Sequence, residues 1–67
     1  MKLDSIKIKL IMAENELTHA DLAEKLGVDR TWVSHLISGK RACRPVTAGR
    51  IAKALGVPVS EIVAEVL

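Results

Sequence analysis

Arg30, Thr31, Ser34 and His35 carry hydrogen-bonding side chains at spacings of one and four residues, which places them together on one face of a helix. Val33 and Leu36 repeat at an interval of three and face inward. An arginine guanidinium presents paired donors that match O6 and N7 of a guanine. A threonine can donate, accept or touch a thymine methyl, and a histidine one turn further on can approach a base edge or a phosphate. The chemistry this points to is recognition of base edges, and Arg30, Thr31 and His35 are its candidate residues.

Side chains can read bases only if the helix that carries them is held at the major groove, and the preceding residues are built to do that. Thr18 is positioned to cap a helix, with Asp21 three residues later completing a capping-box pattern. Leu22, Ala23 and Leu26 then recur at helical spacing, and Ala23 is small enough for a second helix to cross closely. Gly27 ends the helix by adopting a left-handed conformation, Val28 plugs the corner, and Asp29 caps the next helix. The segment reads as a helix-turn-helix over about 18–39.

The remainder predicts three more helices. The first starts near Asp4 or Ser5 and runs to about Glu14, with Ile8, Ile11 and Met12 buried and Lys7 and Lys9 outside. A basic loop, Gly39 to Val46, follows the helix-turn-helix, since Pro45 discourages helix at Arg44. Thr47 is expected to cap a fourth helix with Ile51, Ala52 and Leu55 inward, stopping at Gly56. A fifth, almost wholly apolar helix is expected over about 61–67. Its Ile62, Val63, Val66 and Leu67 would form a dimer seam, because one small domain has too little core to cover them all.

The 67 residues make one domain near the size at which a lone core is marginal, so dimerisation or ligand binding can add stability. With one Trp and no Phe or Tyr, the interior must be built from Leu, Ile, Val, Ala and Met. Cys43 is the sole cysteine, and neither a leader nor a long apolar run is present, so the chain reads as cytoplasmic and nucleoid-associated. The net charge of +2 is polarised: from Arg30 to Ser60 there are six basic residues and no acidic one, while both flanks are net acidic. Such asymmetry is the footprint of a face that meets phosphates.

These residues resemble the Cro and phage-repressor class of helix-turn-helix regulators, the xenobiotic-response-element family. Leu22, Ala23, Leu26, Gly27, Val28, Val33, Leu36 and Gly39 stand at that family's framework positions, and Ala54 to Val57 resemble the end of its fourth helix. The resemblance covers roughly Ile8 to Val63. It implies an all-α, five-helix, lambda-repressor-like domain whose third helix enters the major groove of operator DNA. It also implies a cofactor-free regulator of phage type that binds double-stranded DNA as a homodimer. On that pattern Arg30, Thr31 and His35 read bases. His19, Trp32, Ser34, Ser38, Lys40, Arg41 and Arg44 hold phosphates and fix register, whereas Arg50 and Lys53 read as solvated charges.

Two positions depart from the family. Met12 and Ile37 stand where many members pair an Arg with a Glu, and an apolar contact is expected in place of that ion pair. Asp29 replaces a neutral hydroxyl residue. It caps well but repels a nearby phosphate.

Other function classes fit less well. His19, His35 and Cys43 are separated by intervals of 16 and 8, which match no compact metal-ligand motif, and no catalytic arrangement can be argued, so no enzyme is expected. The alternative is an antitoxin-like interaction module that also autoregulates its gene, with a toxin or an antirepressor as protein partner.

Overall fold

A computed structural model of the chain describes residues 1–38 and 42–65. Four α-helices, α1 (Ser5–Glu14), α2 (His19–Leu26), α3 (Arg30–Ile37) and α4 (Pro45–Leu55), are followed by a 3-10 turn, Val59–Glu61. Strands β1 (Lys2–Leu3) and β2 (Val63–Glu65) pair antiparallel as a terminal ribbon.

The first three helices start where the side chains direct. Asp4 caps α1 by accepting from the Lys7 amide. Thr18 and Asp21 form a reciprocal capping box on α2, and Asp29 accepts from the Thr31 amide at the start of α3. The fourth start differs from expectation. Helix α4 begins at Pro45, with Arg44 extended before it, so Thr47 lies inside the helix and not at its cap. Proline suits the first helical position because its fixed φ is already helical and its missing amide would have had no partner there.

The helix ends share one device. The Val28 amide bonds the Ala23 carbonyl and the Val57 amide bonds the Ala52 carbonyl, each across a left-handed glycine, Gly27 or Gly56. At the end of α1 the Leu17 amide bonds the Met12 carbonyl in the same way, but the left-handed residue is Glu16, at φ 53°.

The expected fifth helix is the main correction. Residues 59–61 make a single 3-10 turn and 63–65 a strand, so four α-helices are found among the described residues. The ribbon pairs Leu3 with Val63 and Lys2 with Glu65, and the Asp4 amide donates to the Ile62 carbonyl at 2.8 Å. The β-branched Val63 favours this extended form, and a partner strand from the other end of the chain supplies its hydrogen bonds. The dimer seam drawn over 61–67 therefore fails at its centre. Ile62 is fully buried in the chain's own core and Val63 packs half-buried against it, while Val66 and Leu67 lie outside the described residues.

One apolar cluster holds the helices together, with Ile8, Leu22, Val33, Ile37, Ile51 and Ile62 at its centre and no aromatic ring. Met12 and Ile37 are both buried in it, so the positions of the family's ion pair here belong to an apolar interior. Cys43 is a free, buried thiol. Its backbone is joined to that of Met1 in both directions, the Cys43 amide donating at 2.7 Å and the Met1 amino group at 3.1 Å, which extends the ribbon sideways to the segment before α4.

Candidate nucleic-acid interface

Helix α3 buries Val33 and Ile37, half-buries Leu36 and turns Thr31 and His35 outward. That front ridge has two different flanks. Arg30 and Ser34, one turn apart, face the start of α2, where they line a concavity with Thr18, His19 and Ala20. Trp32, two residues from each and so roughly 200° around the helix, faces the other way, where it lines a notch with Leu26, Val28, Thr47, Arg50 and Ile51.

The two helices are joined on the first flank. His19 Nδ1 and Ser34 Oγ are hydrogen-bonded at 2.9 Å in a partly buried position. Ser34 is thus a strut between helices more than a free surface hydroxyl, and it fixes how His19 is presented beside the first-turn amides of α2. A helix start offers unpaired N–H groups and a partial positive charge, which suits a phosphate oxygen. The hydrogen bond ties the outward face of α3 to the start of α2.

Asp21 is the titratable group of this end that departs from its ordinary value. The Thr18 amide and then the Thr18 hydroxyl hold its carboxyl below the usual 3.8 against some opposition from desolvation, with the smallest contribution from the charge of Lys25. It stays ionised and keeps the cap closed.

Arg30, Thr31 and His35 are all exposed, as base reading requires. Trp32 is 42% exposed, at the boundary between the core and the surface. The Ser38 hydroxyl donates to the His35 carbonyl at 2.6 Å, so its proton is committed to the end of α3. Arg44 is exposed at the entrance to α4. Lys40 and Arg41 lie outside the described residues. Thr47 and Arg50 beside Trp32 were not expected, because periodicity shows that Arg50 is on the outer side of α4 but not which neighbouring helix that side meets.

Comparison with known proteins agrees with this geometry. The helix-turn-helix family model matches residues 8–62, and the chain belongs to that family, as its Cro and xenobiotic-response-element features indicated. Its helix-turn-helix is of the DNA-binding kind. Solved structures with the same fold include native PhpD with cadmium and PhpD with cadmium and hydroethylphosphonate, with TM-scores of 0.78 and 0.77. A variant of hydroxyethylphosphonate dioxygenase gives 0.79. Each is 25% identical and covers all of this chain but only 14% of its own. No curated protein matches the sequence. No helix among the described residues is long and apolar enough to cross a membrane.

Proposed function

We propose that this protein is a sequence-specific transcriptional regulator, a Cro-like repressor that places α3 in the major groove of a pseudo-palindromic operator. The observation that carries the reading is the exposed Thr31 and His35 ridge, locked by the His19 to Ser34 hydrogen bond to the anion-attracting start of α2. Arg30 begins α3 and has the reach to make a bidentate contact with a guanine. His19 and Arg44 hold phosphates, and Lys40 and Arg41, outside the described residues, are assigned the same role by their charge. Repression follows from occupancy of the operator.

The protein binds as a homodimer on half-sites about one helical turn, ~34 Å, apart. Of the seam drawn over 61–67, Ile62 is consumed by the core. The large apolar side chains that α1 leaves uncovered are Ile6 and Leu10, 71% and 57% exposed. The role is binding and not catalysis. The dioxygenase likeness spans a seventh of that chain, and its activity is not carried over.

Selection of bound duplexes from a random pool, followed by titration and sizing of the complex, tests the reading. An inverted repeat bound by two chains is expected, and absence of any enriched sequence would sink it. Within the selected site, Arg30→Ala is expected to weaken the preferred duplex by about 1–3 kcal/mol more than random DNA. Equal losses on both remove Arg30 from base readout.

A further inference from the structure

The second flank of α3 is not inert. Trp32 projects from the recognition helix into a notch whose opposite wall is Thr47 and Arg50 of α4. The notch encloses about 80 Å³. That is well below the several hundred Å3 of a small-molecule site, so what meets it must come from a larger body outside. Arg50 also lines the adjoining outer groove with Lys25 and Lys53. Among the described residues the ion pair formed is Lys7 with Glu61, so Arg50 has no carboxylate holding it within 4.0 Å.

Groove dimensions decide what that larger body is. The major groove is about 12 Å wide and a helix with its side chains is about 10–12 Å across, so the two flanks of an inserted helix face the two sugar-phosphate walls. The His19 flank takes one wall. The opposite flank presents an indole N–H, a threonine hydroxyl and a guanidinium, all able to donate to phosphate oxygens.

We propose that Arg50, with Trp32 and Thr47, grips a backbone phosphate on the DNA strand opposite the one held by His19. This rests on the DNA-binding reading above and adds to it a contact from α4, an element outside the helix-turn-helix. The contact positions the reading ridge from both sides and carries no base information. Lys53 lies one turn further along α4 and lines only the outer groove, so it supplies the matched charge control.

The test compares wild type, Arg50→Ala, Arg50→Lys and Lys53→Ala on the selected duplex and on random duplex over a range of salt. A parallel series replaces single phosphates on either strand by uncharged methylphosphonates. Arg50→Ala is expected to weaken both duplexes by the same factor, about tenfold, and to lower the salt slope by about one unit. Arg50→Lys recovers the slope, and Lys53→Ala leaves affinity within about twofold. One methylphosphonate, on the strand that His19 does not touch, should weaken wild type and leave Arg50→Ala unaffected. Indistinguishable losses for Arg50→Ala and Lys53→Ala, or an unchanged slope for Arg50→Ala, overturn the assignment and leave the basic groove to an acidic protein partner. Wild type that enriches no duplex overturns the DNA reading itself, and this contact with it.

Discussion

The helix-turn-helix and the terminal ribbon are built from equally plain residues, yet they take their shape from different sources. Between Leu17 and Ser38 each turn is dictated within a few positions: Thr18 with Asp21, Gly27 with Ala23, Asp29 with Thr31. The ribbon is held by partners about sixty residues apart in the chain, with Leu3 against Val63 and Asp4 donating to Ile62. The helix-turn-helix is locally encoded, and the clasp that closes the domain behind it exists only once the chain has folded.

The strongest way to break that contrast is to remove the anchor of the clasp. Ile62→Ala deletes a fully buried side chain and is expected to cost about 2–5 kcal/mol. That is a large share of the roughly 3–10 kcal/mol available to a chain of this length. Ile62→Val, at about 0.5–1.5 kcal/mol, keeps the series measurable if the alanine variant does not fold. Urea titration should show both losses to be independent of protein concentration. A loss that grows on dilution would place Ile62 in an interface between chains and restore the dimer seam.

The same contrast explains what could be read in advance. The boundaries of α1, α2 and α3 were legible because caps and a left-handed glycine act over three to six residues. The exposed Arg30, Thr31 and His35 followed from helical spacing alone. The end of the chain was misread because Ile62, Val63, Val66 and Leu67 fit a helical stripe as well as a strand, and short apolar runs do not distinguish the two. Only the distant Lys2–Leu3 strand settles the choice for 63–65. The start of α4 was misplaced for a different reason. Arg44 is extended before Pro45 as expected, but the expected loop ran through Pro45 itself, whereas at the first helical position it favours a start. Ser34 was read as an outward hydroxyl because its partner, His19, lies fifteen residues back on another helix.

A smaller effect sharpens the comparison from the local side. Three helices end by the same six-residue hydrogen bond, but only α1 does so through a residue with a side chain, Glu16 at φ 53°. A left-handed conformation costs a residue with a Cβ about 1–2 kcal/mol. Glycine is free of that strain but is more disordered when unfolded, which offsets part of the gain. Glu16→Gly is therefore expected to stabilise the fold by about 0.5–1 kcal/mol, and Gly27→Ala to destabilise it by a similar amount. No neighbouring heavy atom would lie within 4 Å of the added Cβ at Gly27, so this second loss is purely a backbone effect. A destabilised Glu16→Gly would mean that the carboxylate makes a contribution of its own and that the three ends are not equivalent.

The weakest effect lies in the cap that begins the helix-turn-helix, and pH separates it from the rest. The carboxyl of Asp21 is held below 3.8 in the folded chain, first by the Thr18 amide and then by the Thr18 hydroxyl. A group whose value is lowered by folding lends stability above its unfolded value and loses it as pH falls through the folded one. Asp21→Asn keeps an acceptor oxygen but not the charge, so it isolates that contribution from the shape of the cap. Wild type should exceed Asp21→Asn in urea midpoint by a small, constant margin from pH 7 down to about pH 5. The margin should then shrink through pH 4 and vanish once Asp21 is protonated. A margin that persists unchanged into acid would show that the cap works through geometry alone, with the charge serving only the electrostatics of the start of α2.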